Sequence, residues 1–140
     1  MRSSAEKKKL VMVFGVFDRL HEGHRDFLRQ AQARGDELIV VVARDGVVRM
    51  LKGKPPHEDE ETRRKRVSED VHVSFAVLGD ETQGSYEIIA QYEPDVICLG
   101  YDQEELGRDL AMRMETGAVK KIALLRLVAF KPERYHTSLF

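Results

Sequence analysis

The sequence predicts a doubly wound α/β sheet of about five parallel strands with helices on both faces. Apolar runs rich in β-branched residues recur along the chain, and segments with helical patterning separate them. The runs are apolar on both faces, which is typical of parallel strands that helices cover on each side. The length of 140 residues suits one domain with its own core. We therefore expect a single Rossmann-like domain over residues 10–140.

Five apolar segments carry the predicted strands. Residues 1–9, which precede the first of them, are rich in charged and polar side chains, and we expect a loose solvated tail there. The predicted strands comprise residues 10–16, 37–43, 73–79, 95–100 and 121–128.

The first predicted helix lies in residues 24–36, where Phe27, Leu28 and Ala31 share one face and Gly35 is the expected C-cap. Strand, helix and strand then form a right-handed crossover unit.

Three further helices are predicted. Within residues 52–66, a densely charged segment, Asp59 is the expected N-cap. A short helix is predicted within residues 84–92, and another over residues 102–116 despite Gly107.

The charge balance disfavours two classes of partner. Lys and Arg number 23 against 24 Asp and Glu, so the net charge of −1 disfavours binding to nucleic acid or to an anionic membrane. No apolar stretch has the ~18 residues that a membrane span needs, and no signal peptide is evident. The single cysteine, Cys98, is an expected buried strand residue, which fits a cytoplasmic protein.

The stretch "GVFDRLHEGH", residues 15–24, has the features of an anion site. Gly15 ends a strand, and His21 and His24 stand three apart at the start of a helix, with Gly23 leaving room between them. Imidazoles and N–H groups at a helix N-terminus suit phosphoryl oxygens. A zinc site is not expected, since zincins space their histidines four apart and no third ligand is near.

Three informative stretches begin where a predicted strand ends: "GVFDRLHEGH", "VARDG" and "LGYDQ". Ligands of doubly wound sheets gather at the carboxyl ends of the strands, near the point where the strand order reverses. The three stretches are therefore expected to meet at one site, although "VARDG" alone is equally consistent with a simple turn.

"GVFDRLHEGH" resembles the G-T-F-D-x-x-H-x-G-H signature of the nucleotidyltransferase superfamily, which includes cytidylyltransferases, pantetheine-phosphate adenylyltransferase and archaeal FAD synthetase. The likeness covers most of the chain. "GDELIVVVARDGVVRMLKGKPP", "EETRRKRV", "PDVICLGYDQ" and "YHTS" follow in the order expected of the FAD synthetase and glycerol-3-phosphate cytidylyltransferase branch. Archaeal-type FAD synthetase is the nearest resemblance.

The resemblance implies roles for the matching residues. His21 and His24 would hold the nucleotide phosphates and stabilise charge at the α-phosphorus. Lys52 or Lys54 would face the triphosphate or the acceptor's phosphate, with Arg63 as a second candidate. The implied nucleotide-binding residues are Gly15, Val16, Phe17, Glu22, Gly23, Gly100, Tyr101, Asp102, Thr137 and Ser138.

The activity that the resemblance implies is transfer of AMP from ATP to a phosphorylated acceptor, with FMN favoured to give FAD, and with release of pyrophosphate. Mg²⁺ would accompany the triphosphate, and the chain would form a homodimer. Since the acceptor is already an anion, positioning and cations suffice without a strong base. The alternatives are a CTP-dependent enzyme acting on glycerol 3-phosphate or another polyol phosphate, and a nucleotide-binding protein with weak or no catalysis.

Two departures from the family pattern favour the last alternative. Val16 stands where the signature has threonine, which removes a hydroxyl but keeps the backbone N–H. Only Leu139 and Phe140 follow Ser138, so the helix that opens with the hydroxyl pair is nearly absent, and we expect the closing contact to come from elsewhere or from a longer chain.

Overall fold

The computed structural model describes residues 7–129. Its sheet has five strands, all parallel, in the order β3-β2-β1-β4-β5. The strands are β1 (Leu10–Gly15), β2 (Glu37–Val42), β3 (Phe75–Leu78), β4 (Val96–Leu99) and β5 (Ala123–Arg126). The predicted α/β class and the five-stranded parallel sheet are confirmed. The strand order reverses between β1 and β4, which makes their carboxyl ends the switch point of the fold.

The five helices are α1 (Glu22–Gln32), α2 (Asp45–Lys52), α3 (Glu60–Ser68), α4 (Glu87–Tyr92) and α5 (Glu104–Thr116). Helices α1 and α3 supply buried side chains to the core on one face of the sheet, whereas α4 and α5 supply them on the other. Alternate strand residues enter the two layers, as Val11 and Met12 do in β1. Cys98 is buried in β4, as predicted.

One local prediction at the start of the fold is wrong. Helix α1 ends at Gln32 with Ala33 as its C-cap, so Gly35 does not cap it. A Cβ at Gly35 would lie 2.6 Å from Val11 Cγ2 and 2.9 Å from the Lys9 carbonyl, so glycine is needed there for close approach to β1. Lys9, the last residue of the segment predicted as a tail, is hydrogen-bonded to the domain: its N–H donates to the Asp36 carboxylate, and its carbonyl accepts from the N–H groups of Asp36 and Glu37. Residues 1–6 lie outside the described residues, so the tail stays a prediction.

The helix boundaries differ in the middle of the chain. No helix was predicted over Asp45–Lys52, yet α2 begins directly after "VAR" and ends at Gly53 in the left-handed region, with φ of 75°. Asp59 caps α3 as predicted, since its Oδ1 accepts from the Thr62 N–H at 2.8 Å. Within residues 7–129, no helix is long and apolar enough to cross a membrane.

Candidate active site

A cavity of about 670 Å³ lies at the carboxyl ends of β1 and β4, where α1 begins. The structure brings ten of the predicted site residues to its walls: Gly15, Val16, Phe17, His21, Gly23, His24, Lys52, Gly100, Tyr101 and Asp102. Glu22 and Lys54 do not line it, and both side chains face solvent. Thr137 and Ser138 lie outside the described residues. Phe27 and Gln103 also line the cavity. Phe27 was predicted only as a residue of the apolar helix face, and Gln103 lies in the stretch "LGYDQ" without a predicted role of its own.

His21 and His24 are stacked, with ring centroids 3.8 Å apart and an interplanar angle of 20°. His21 is the N-cap of α1, and its Nδ1 accepts from the Gly23 N–H at 3.1 Å. His24 Nδ1 accepts from the His21 N–H at 3.2 Å, which completes a reciprocal capping box. Because each Nδ1 accepts, we assign the proton of each neutral ring to Nε2, which makes Nε2–H the donor available to a phosphate.

His24 is held in its neutral form by its surroundings. Burial and the adjacent His21 lower the pKa of His24 to about 4. The buried Phe17 ring also packs edge-on against it, at a centroid distance of 5.4 Å. At neutral pH His24 therefore acts as a hydrogen-bond donor rather than as a cation.

The loop between β1 and α1 has an unusual backbone. Hydrogen bonds to the segment before α3 hold this loop in place. Phe17 and Arg19 both have φ of 53°, a region that L side chains rarely adopt. The Asp18 carboxylate accepts from the N–H groups of His57 and Glu58, at 2.8 and 3.0 Å. Burial works to raise the pKa of Asp18, but these bonds outweigh it and lower the pKa below its usual value.

Arg63 lies beneath this loop rather than in the cavity. Its side chain is fully buried and donates to the carbonyls of Val16 and Glu58, at 2.8 and 2.9 Å, and to Asp45 Oδ1 at 2.7 Å. Since these partners belong to the motif loop, the start of α3 and the start of α2, one guanidinium joins three segments. The expectation that Arg63 faces the triphosphate is therefore corrected: its donors are engaged inside the protein.

Lys52 is the predicted lysine that reaches the cavity wall. It is the last residue of α2, and Gly53 then turns the chain away. Among residues 7–129, no group of three or more His, Cys, Asp or Glu side chains is placed to hold a metal ion.

A second cavity, of about 830 Å³, adjoins the first across the end of β1. The two share Phe14, Gly15, Val16, Asp102 and Gln103 as walls. The second cavity is bounded by apolar side chains that are left partly exposed, including Leu51, Tyr86 and Leu106. Its walls include residues of all three stretches that the sequence predicted to meet at one site: Gly15 and Val16, Ala43 and Arg44, and Asp102 and Gln103.

Tyr86 is fixed at the wall of the second cavity by two polar neighbours. Its hydroxyl donates to Asp109 Oδ2 at 2.7 Å, and the Arg113 guanidinium carbon lies 5.2 Å from the ring centroid. Burial and then Asp109 raise the pKa of Tyr86, so the phenol stays protonated. Its ring meets Phe14 edge-on, which extends the aromatic wall toward the shared boundary.

A parallel sheet with paired histidines at its switch point defines a nucleotide-binding α/β protein. The family model described as cytidylyltransferase-like matches residues 12–139. The chain belongs to this family.

Two relatives and one solved structure illustrate the similarity. The FAD synthase of Pyrococcus abyssi is 40% identical over 129 residues, covering 91% of this chain and 86% of the relative. The FAD synthase of Thermoplasma acidophilum is 45% identical over 105 residues, covering 75% of this chain and 72% of the relative. The crystal structure described as the lipopolysaccharide core biosynthesis protein of Thermoplasma volcanium superposes with a TM-score of 0.81 at 36% identity, covering 89% of this chain and all of that one.

Arg63→Met is expected to lower the free energy of unfolding by about 3 kcal/mol, because the carbonyls of Val16 and Glu58 and the partly exposed Asp45 carboxylate lose their donor. Denaturant unfolding measures the change. Arg64→Met is the matched control: Arg64 pairs with Glu61 near the surface, so its loss is expected to cost about 1 kcal/mol or less. Equal effects of the two substitutions would contradict a role for Arg63 in joining the three segments.

The low pKa of His24 predicts a pH dependence of stability. Between about pH 6.5 and about pH 4 the unfolded chain binds a proton at this residue and the folded chain does not, so the free energy of unfolding falls as the pH is lowered through that window. The His24→Gln variant has no group that titrates at this position, so its free energy of unfolding lacks this pH-dependent contribution. The difference in stability between wild type and variant should therefore change with pH inside the window and be constant above it. Parallel curves across the window would refute the assignment.

Proposed function

We propose that this chain transfers the adenylyl group of ATP to FMN, giving FAD and pyrophosphate. The observation that carries the proposal is the stacked His21–His24 pair at the switch point, with both Nδ1 atoms occupied and Nε2–H donors left for phosphate oxygens. The FAD synthase relatives and the cytidylyltransferase-like family support the enzyme class and the adenylyl type.

The reaction is a displacement at the α-phosphorus of ATP. A non-bridging oxygen of the FMN phosphate forms the new P–O bond, and the bond from the α-phosphorus to the α,β-bridging oxygen breaks. The electron pair of that bond leaves with pyrophosphate. Since the attacking group is already an anion, the protein supplies position and charge stabilisation rather than a strong base.

The residues of the first cavity suit the phosphate chain. His21 and His24 donate from Nε2–H, and the N-terminus of α1 adds favourable potential for negative charge. Lys52 at the wall supplies a cation for the phosphates. Gly100 and Tyr101, at the end of β4, shape the nucleoside side of the cavity.

The second cavity suits the planar ring of the acceptor. Its volume of about 830 Å³ lies in the range of small-molecule sites, ~300–1,000 Å³. Leu51 and Tyr86 offer partly exposed apolar surface inside it, and the wall shared with the first cavity would admit the acceptor's phosphate to the histidines. We place the isoalloxazine ring of FMN there.

Mg²⁺ enters this proposal as part of the ATP complex. Triphosphate oxygens are the hard ligands that Mg²⁺ prefers, and the ion commonly keeps several waters. Residues 7–129 offer no cluster of three carboxylates or histidines to bind it independently, and the Asp18 carboxylate is engaged with His57 and Glu58. The homodimer, the cytoplasmic location, and the absence of nucleic-acid and membrane partners stay predictions.

The proposal is tested by FAD formation from ATP and FMN with Mg²⁺, followed by chromatography, with CTP and glycerol 3-phosphate as alternative substrates. We expect product only with the pair ATP and FMN, and none when CTP or glycerol 3-phosphate replaces either substrate. His21→Ala should lower kcat by about 10²-fold or more, since it removes a donor to the developing charge. His72→Ala, whose imidazole pairs with Asp70 and lines neither cavity, should leave kcat unchanged. Turnover only with CTP would overturn the adenylyl assignment.

Leu51→Ser tests the acceptor cavity. Leu51 is 56% exposed and lines that cavity, so its loss should spare folding while raising KM for FMN roughly 10-fold, with KM for ATP unchanged. Met50→Ser is the matched control, because Met50 is 63% exposed on the same helix and lines neither cavity. An equal rise in both KM values, or the same effect from Met50→Ser, would place the flavin elsewhere.

A further inference from the structure

The strands β1 and β4 part before their carboxyl ends. β1 pairs with β2 as far as Gly15, whereas its pairing with β4 extends only to Met12↔Ile97. Two residues further along the same register, Phe14 would stand opposite Leu99. Beyond Met12 the two strands therefore leave a gap, and the two cavities meet at that point.

The carboxamide of Gln103 bridges this gap. Its Nε2 donates to the Phe14 carbonyl at 2.8 Å, and its Oε1 accepts from the Gly100 N–H at 2.9 Å. Gln103 is the residue before α5, yet its side chain makes no capping bond to that helix. The amide thus acts as an inserted peptide unit that joins the backbone at the end of β1 to the backbone at the end of β4.

Both cavities depend on the backbone that Gln103 holds. The side chain is half-buried and forms part of the wall that the two cavities share. The Phe14 carbonyl that it binds directly precedes Gly15 and Val16, which line both cavities as well. A change in the separation of β1 and β4 therefore moves the surfaces on which both substrates would rest.

We propose that Gln103 is a positioning residue for the adenylyl transfer: its carboxamide fixes the separation of the ends of β1 and β4, and so aligns the FMN phosphate with the α-phosphorus of ATP. This inference rests on the proposed function. Gln103 acts through the backbone and need not touch a reacting atom. Its loss should therefore appear in kcat, since a misplacement of ~1 Å can cost about 10²-fold in rate.

Gln103→Met tests the proposal, because it keeps the length of the side chain and removes both hydrogen bonds. We expect kcat for FAD formation to fall about 10–100-fold, while KM for ATP and for FMN changes by less than about 3-fold. Gln91→Met, on the exposed side of α4 and away from both cavities, is the matched control and should match the wild type. Circular dichroism and the melting temperature verify that the variants are folded.

Gln103→Glu separates alignment from packing. The new side chain still accepts from the Gly100 N–H, but it donates to the Phe14 carbonyl only when it is protonated. The kcat of Gln103→Glu relative to the wild type should therefore rise as the pH is lowered through the pKa of the introduced carboxyl. A ratio that is constant with pH would overturn the proposal, and this readout remains usable if Gln103→Met does not fold.

Failure of the proposed function and failure of the role of Gln103 give different experimental results. If the wild type forms no FAD from ATP and FMN, the proposed function is overturned and this inference with it. If the wild type forms FAD and Gln103→Met keeps the wild-type kcat, or loses activity through KM alone, only the role of Gln103 is overturned.

Discussion

The buried guanidinium of Arg63 is the constraint on which the site depends. A charge removed from water is tolerated only when it is paired and its donors are satisfied. Here the partners are the Val16 carbonyl, the Glu58 carbonyl and the Asp45 carboxylate, so the buried charge is satisfied only when the motif loop, α2 and α3 are all in place. The position of the two histidines is therefore coupled to the packing of α3, which does not line the cavity, and of α2, which reaches it only through Lys52.

This coupling accounts for a loop backbone that is costly by itself. Phe17 and Arg19 occupy the left-handed region, where a residue with a side chain loses on the order of 1 kcal/mol. Hydrogen bonds to the Asp18 carboxylate and to the Val16 carbonyl offset that cost. The result is a buried Phe17 ring that packs against His24 and helps to keep the imidazole neutral and fixed.

Much of the fold could be predicted because its signals are local. β-branched apolar runs locate five strands, and the spacing of His21 and His24 predicts an anion site at a helix start. Contacts between distant segments could not be predicted: in the charged run that contains Arg63, sequence does not distinguish a buried guanidinium from a solvated one. Gly35 was taken for a cap because glycine is common there, whereas its close approach to Val11 depends on the packing of α1 against β1. Helix α2 was missed since it is short and begins without a side-chain cap.

The two adjoining cavities follow from the reversal of strand order, and that reversal suits a displacement at phosphorus. An in-line reaction needs the attacking and leaving oxygens on opposite sides of the α-phosphorus. A crevice between β1 and β4 opens toward α1 on one side and toward α5 on the other, so one cavity can hold the triphosphate while the second holds the attacking group. Gly15 lies at the boundary, where a Cβ would come within 2.6 Å of the Phe17 ring, so glycine lets that ring pack against the end of β1. Because β1 contributes to both cavities, whatever fixes its end relative to β4 also fixes the angle between the two substrates.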